Sequence, residues 1–227
     1  MRMRKKKNQA ERLDALPNLL RFSTDELRFD VPVEGLKLSF EKLFGNRNPV
    51  HLEIGSGKGQ FAVTLAKEHP EWNILAVEKT DKVILPACEA ALAAGAENLL
   101  FLNLPAEYLP RYLPTESVER LYLNFSCPYP KHTYANHRLT NPRFLQMYAT
   151  FLKEGGEIWQ KTDNQAFFEY SLESFSACGW KMQHISLDLH HSDFQGNIVT
   201  EYEQKFVSEG KPIYRLEAVR PLLTKSN

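Results

Sequence analysis

Apolar residues in this chain come in short runs, separated by stretches where they recur every three or four positions. Residues 49–54 (PVHLEI) form the first run, and glycines at 55, 57 and 59 follow at once. Beyond them Phe61, Ala62, Leu65 and Ala66 keep helical spacing up to Pro70, which predicts a strand, a glycine turn and a helix. Residues 73–78 (NILAVE) read as a second strand, and 81–94, rich in alanine and leucine, as a helix closed by Gly95. Strands are predicted over 98–103 and 118–124, a helix over 142–153, a fifth strand over 157–162 behind Gly155-Gly156, and a helix over 164–178. Residues 180–187 and 201–208 then read as strands, with a last extended piece around 213–219. Strands alternating with helices imply right-handed crossovers, hence an α/β fold with a mostly parallel sheet covered by helices on both faces. The final strands, with no helix expected between them, imply an antiparallel edge. No internal repeat or linker is visible. Residues 21–220 are therefore expected to form a single domain behind a basic N-terminal arm of residues 1–20.

Composition narrows the class without naming a function. The chain has 227 residues, 43% apolar and 25% charged, which suits one globular domain able to bury a core without disulfides or a structural metal. Cys88, Cys127 and Cys178 lie far apart with no C-x-x-C pair, so no zinc site or disulfide framework is expected, and a reducing cytoplasm suits them. His190-His191 near Asp188 and Asp193 lack the spacing of common zinc sites, so no metal is expected there either. The basic start leads into polar residues rather than an apolar core, unlike a secretory signal, and no run is long enough to span a membrane. The formal net charge is zero, which argues against nucleic-acid binding by overall charge alone. Two local patches change that picture: Arg2, Arg4, Lys5, Lys6 and Lys7 at the start, and Lys131, His132, His137, Arg138 and Arg143 in a Pro-rich, aromatic-containing segment. Either could meet phosphates. Either could also be an ordinary solvated tail or loop.

In a doubly wound sheet, ligands bind outside the carboxyl ends of the strands, so the turn after the first predicted strand is where chemistry is expected. Glu53-Ile54-Gly55-Ser56-Gly57-Lys58-Gly59 occupies it. A dinucleotide fingerprint would need its third glycine at Gln60, which disfavours a nicotinamide oxidoreductase. A phosphate-binding P-loop would need a hydroxyl after Lys58, where Gly59 stands. The remaining pattern, E-x-G-x-G-x-G, resembles the turn by which Rossmann-like methyltransferases bind S-adenosylmethionine. Glu78 ends the second strand about twenty residues on, where a carboxylate can accept from both ribose hydroxyls of an adenosine ligand. Glu53, at the carboxyl edge of the sheet, needs a partner if buried, and the sulfonium or ammonium group of the donor would supply one.

More specific motifs follow. Asn124-Phe125-Ser126-Cys127-Pro128-Tyr129-Pro130-Lys131 resembles the N-F-S-D-P-W-P-K segment of the bacterial tRNA (guanine-N7)-methyltransferases. Arg138-Leu139-Thr140, Lys161-Thr162-Asp163-Asn164, Phe168-Glu169-Tyr170-Ser171, and Gly196-Asn197 with Thr200-Glu201-Tyr202-Glu203 match that family in order, as does the opening Met1-Arg2-Met3-Arg4. The resemblance runs from the N-terminus to about Arg215. It implies a Rossmann-like methyltransferase fold and methyl transfer from S-adenosylmethionine to N7 of a tRNA guanine, the variable-loop guanine at tRNA position 46. It also implies a cytoplasmic protein, monomeric or homodimeric. Glu53, Gly55, Gly57, Glu78, Asn103 and Pro105 would then lie at the donor. Lys131, Asp163, Thr200, Glu201, Tyr202 and Glu203 would face the nucleotide, and Arg2, Arg4, Lys5, His132, His137 and Arg138 would meet RNA. Plainer roles compete: Thr162-Asp163-Asn164 could cap the following helix, and Tyr202 could be a strand aromatic.

The chain departs from the family pattern at two chemically important positions. Cys127 stands where the family has its catalytic aspartate, and Pro105 where an acid usually follows the third strand. A thiol is a weak hydrogen-bonding group and proline retains only its carbonyl, so adenine contacts there would come from Asn103, Glu107 or the backbone. Tyr129 in place of tryptophan keeps an aromatic face. These departures leave a second reading open, a paralogue that binds tRNA or S-adenosylmethionine with weakened catalysis.

Overall fold

In a computed structural model of the protein, residues 8–22 and 36–222 are described. The chain divides into two compact units, Met1–Pro114 and Thr115–Asn227. In the first unit β1 (Leu19–Arg21), β2 (Val50–Ile54), β3 (Asn73–Val77) and β4 (Leu99–Asn103) form a parallel sheet in the order β1-β4-β3-β2. Every residue of β2 and β3 is buried, as expected of strands covered on both faces. Around them lie α1 (Gln9–Asp14), α2 (Phe40–Phe44), α3 (Gln60–Glu68), α4 (Asp81–Ala93) and the short α5 (Leu109–Tyr112). Asn98 closes the crossover after α3, donating its amide to the carbonyls of Ala66, His69 and Trp72 at 2.8–3.1 Å.

Part of the segment expected to be an arm, residues 1–20, is folded. Helix α1 packs against α4, and β1 pairs with β4, Leu19 opposite Phe101. Arg2, Arg4 and Lys5 lie outside the described residues.

The second unit contains β5 (Val118–Asn124), α6 (Pro142–Phe151), β6 (Leu152–Thr162), α7 (Gln165–Ala177), β7 (Lys181–Ser186), α8 (Glu201–Ser208) and β8 (Tyr214–Val219). Strands β5 and β6 are parallel, β8 is antiparallel to β6, and β7 is antiparallel to β8. The antiparallel edge is thus made by β8 and β7. Residues 201–208, expected as a strand, are helical instead. The Thr200 hydroxyl accepts from the Glu203 amide at 3.0 Å and the Glu203 carboxylate reaches back to the Thr200 amide, a capping box that starts a helix.

The glycine turn has a packing role. Gly59 caps α3 at φ +81°, and a Cβ there would come within 2.9 Å of Ala87 Cβ on α4 and 3.3 Å of the Phe101 ring on β4. This is the close helix–strand approach that a dinucleotide turn assigns to its third glycine, reached here one position earlier. At Gly55 the φ is also positive, but a Cβ would meet nothing within 4 Å. Gly59→Ala is therefore expected to destabilise the protein by about 1–3 kcal/mol, and Gly55→Ala by less. Urea midpoints of the two variants check the order.

Candidate active site

In the first unit the donor-side residues gather at the carboxyl ends of β2, β3 and β4. The amides of Gly55 and Ser56 both donate to the Val77 carbonyl, at 2.8 and 3.0 Å, which turns the chain sharply out of β2. Gly55 and Gly57 adopt φ +84° and +57°. Neither would bring a Cβ near any protein atom, so the turn leaves open space beside its backbone. The Ser56 hydroxyl is buried without a hydrogen-bond partner. Glu53 is buried on β2, 2% exposed. Glu78 is half-buried, and its Oε1 accepts from the Thr80 amide at 2.9 Å. The Asn103 amide donates to the Glu78 carbonyl at 3.1 Å, tying the ends of β3 and β4 together. Pro105 precedes a 3-10 turn (Ala106–Tyr108), and its carbonyl accepts from the Tyr108 amide at 3.1 Å. The side chain that would be an acid is thus a ring, and its carbonyl is engaged within the turn. An adenosine-type donor fits this arrangement: open backbone at two glycines, an orphaned hydroxyl between them, and a carboxylate one strand away.

In the second unit the expected substrate residues divide into exposed and buried sets. Lys131 is exposed at the start of a 3-10 turn (His132–His137), with His132 and His137 exposed on it. Asp163 is half-buried beyond β6, with Lys211 Nζ 3.7 Å from its Oδ2. The capping of α7 falls to Asn164, whose Oδ1 accepts from the Phe167 amide at 2.9 Å, so Asp163 is not spent as the cap. Tyr202 lies on α8 rather than on a strand, 61% exposed, with Phe125 and Phe206 near-parallel at ring centroids 6.5 and 6.3 Å away. Glu201 is exposed beside it.

Thr200 and Glu203 face inward. Glu203 is fully buried, and its Oε2 accepts from Lys161 Nζ at 2.7 Å. Its Oε1 accepts from the Asn197 amide at 2.6 Å and lies 2.9 Å from His190 Nε2. Lys161, almost as buried, also donates to Asn197 Oδ1 at 2.9 Å and to the Ile198 carbonyl at 2.8 Å. The network joins β6, the 190–200 segment and α8. Lys161 and Asn197 stood within the matched motifs without a role, and the sequence carries no sign that this lysine is buried. His190 was considered only as a metal ligand; it belongs to Glu203, and His191 pairs with Asp188 at 2.9 Å.

Cys127 is exposed in the loop after β5. Burial pushes the Cys88 thiol up to about 12, and also raises that of Cys178. The guanidinium of Arg138, a residue expected to meet RNA, donates to the carbonyls of Pro128 and Tyr129, both at 3.0 Å.

The fold and the glycine turn together define a Rossmann-like, S-adenosylmethionine-dependent methyltransferase. Among solved structures, the 16S rRNA methyltransferase KamB superposes with a TM-score of 0.60 at 18% identity, covering 80% of this chain and 93% of that one. A SAM-dependent methyltransferase from Aquifex aeolicus gives 0.55 at 14% identity, covering 79% and 87%. A family model described as "Putative methyltransferase" matches residues 47–216. The tRNA (guanine-N(7)-)-methyltransferase of Listeria monocytogenes serotype 4b (strain F2365) is 48% identical over 185 residues, 82% of this chain and 86% of that one. The enzyme of the same description from Streptococcus pneumoniae (strain 70585) is 43% identical over 218 residues, 96% and 99% of the two chains. The chain belongs to the tRNA (guanine-N7)-methyltransferase family.

Two outcomes follow from the geometry. Glu203→Ala strands the Lys161 ammonium in the interior and is expected to cost about 3–5 kcal/mol, whereas exposed Tyr202→Ala costs little; thermal denaturation separates them. Because the thiolate is the nucleophile, iodoacetamide at neutral pH should label Cys127 in the native protein and leave Cys88 unmodified until unfolding, as peptide mass mapping reads directly.

Proposed function

We propose that this protein transfers a methyl group from S-adenosylmethionine to N7 of a guanine in tRNA, the variable-loop guanine. The observation that carries this reading is family membership along 96% of the chain, at 43% identity to a relative of nearly equal length. When bound, S-adenosylmethionine supplies a methyl group made electrophilic by its sulfonium.

Residues of the first unit would hold it. Gly55 and Gly57 let the backbone approach, Glu78 accepts from ribose hydroxyls, and Glu53 faces the cationic end. Asn103 and the backbone around Pro105 would flank the adenine. In the second unit Lys131 would meet a phosphate and Asp163 would accept from the Watson–Crick edge of an extruded guanine, beside Glu201 and Tyr202. Thr200 and Glu203 set the start of α8 and so the placement of those two. His132, His137 and the basic residues 2, 4 and 5 would add RNA contacts. The protein would act in the cytoplasm, as a monomer or homodimer.

Guanine N7 carries a free lone pair, so methylation there needs no general base, and alignment of nucleophile, methyl and leaving sulfur does much of the work. Replacing the family's aspartate by Cys127 therefore weakens the reaction without removing its basis. A hydrogen bond to a charged group is worth about 1.5–3 kcal/mol, or about ten- to a hundredfold in rate.

The test is transfer of labelled methyl from S-adenosylmethionine to unmodified tRNA, with the product base identified. Expected are 7-methylguanine, its loss in Gly57→Val and Glu78→Ala through weaker donor binding, and a rate about ten- to a hundredfold higher in Cys127→Asp. No methylation by either the wild type or Cys127→Asp, while both bind tRNA, would favour the binding paralogue instead.

A further inference from the structure

The loop after β5 is held in an unusual backbone conformation. Phe125 and Tyr129, neither of them glycine, adopt φ +50° and +42°. Such left-handed residues cost about 1–2 kcal/mol each and persist only where their surroundings over-determine them. At Phe125 the backbone amide donates to the Lys161 carbonyl at 2.8 Å. Around Tyr129 the loop has little backbone capacity of its own, because Pro128 and Pro130 on either side carry no N–H.

Arg138 supplies what is missing. Its Nε donates to the Pro128 carbonyl and its Nη2 to the Tyr129 carbonyl, so the two arms of one planar fork grip consecutive peptide groups. The guanidinium carbon lies 4.3 Å from the centroid of the Tyr170 ring on α7. The Tyr170 hydroxyl in turn accepts from the Asn141 amide at 2.8 Å, and Asn141 caps α6 by accepting from the Arg143 amide. A chain of contacts therefore runs from the N-terminus of α6 through Tyr170 on α7 and Arg138 to the loop carrying Cys127 and Lys131. A parallel buried chain, Thr140 Oγ1 to Ser171 Oγ at 2.9 Å and Gln160 Nε2 to the same hydroxyl at 2.9 Å, fastens the same stretches to β6.

We propose that Arg138 is a positioning residue for methyl transfer, clamping residues 127–131 through Pro128 and Tyr129 rather than contacting RNA. The role rests on the methyltransferase reading of this loop. It requires a fork and a flat face, not merely a positive charge. Lysine provides one point charge and no planar stack, so Arg138→Lys distinguishes the clamp from a phosphate contact.

The experiment compares wild type, Arg138→Lys and Tyr170→Leu as full-length proteins, by amide hydrogen exchange and by steady-state methylation of tRNA transcript. In Arg138→Lys, exchange across residues 126–131 is expected to rise on the order of tenfold. Its kcat is expected to fall by about ten- to a hundredfold while KM for tRNA stays within about twofold. Tyr170→Leu, which leaves the loop residues intact, should shift both readouts the same way but less, and keeps the test available if the arginine variant folds poorly. Unchanged exchange in both variants would overturn the clamp. Wild-type kcat in Arg138→Lys, or a raised KM with kcat retained, would return Arg138 to RNA binding. If even the wild type methylates no tRNA, the functional reading fails, and the exchange comparison still decides whether Arg138 orders the loop.

Discussion

A lysine and a glutamate buried together organise part of the second unit of this protein. Lys161 and Glu203 would each be costly to desolvate alone, and the interior tolerates them because every polar arm is engaged: Asn197, Ile198, His190 and the Thr200 amide complete the shell. Their pairing joins the end of β6 to the first turn of α8, so Asp163, two residues beyond Lys161, and Tyr202, one before Glu203, are both set by it. A single ion pair thus determines how four successive residues divide their work. Thr200 and Glu203 build; Glu201 and Tyr202 are left exposed.

The first unit reaches its geometry by different means. Its turn depends on backbone freedom, with three glycines at positive φ between β2 and α3. Only one of the three is needed for packing. Gly59 lets α3 lie against α4 and β4, while Gly55 and Gly57 face open space, where a Cβ would meet nothing within 4 Å. At Pro105 the turn is closed by its own carbonyl, which accepts from the Tyr108 amide.

The altered position 127 sits in a loop whose scaffold is intact. Left-handed Phe125 and Tyr129, the two prolines and the Arg138 fork hold the chain in one arc, within which the side chain at 127 is exposed. Two positive-φ residues that are not glycine are costly, and the amide of Phe125 on the Lys161 carbonyl and the fork of Arg138 on the Pro128 and Tyr129 carbonyls offset that cost.

The alternation of apolar runs with helical spacing was sufficient to place β2 to β6 with α3, α4 and α6, because parallel strands buried on both faces leave a continuous apolar signature, whereas the five-residue α2 and four-residue α5 gave no such signal. The ordered motifs that mark the family were legible for a similar reason: each is a short-range pattern of neighbours in sequence. Helix α1 and strand β1 escaped notice because six and three residues carry too little periodicity to register. Residues 201–208 were misread as a strand because their helix rests on a cap and on a buried carboxylate whose partner lies 42 positions away. The division of Thr200 to Glu203 into buried and exposed members, and the turning of Arg138 inward, were likewise invisible along the chain. Charge is written in the sequence, but whether a charge meets solvent, a ligand or a carbonyl is decided only when distant segments pack around it.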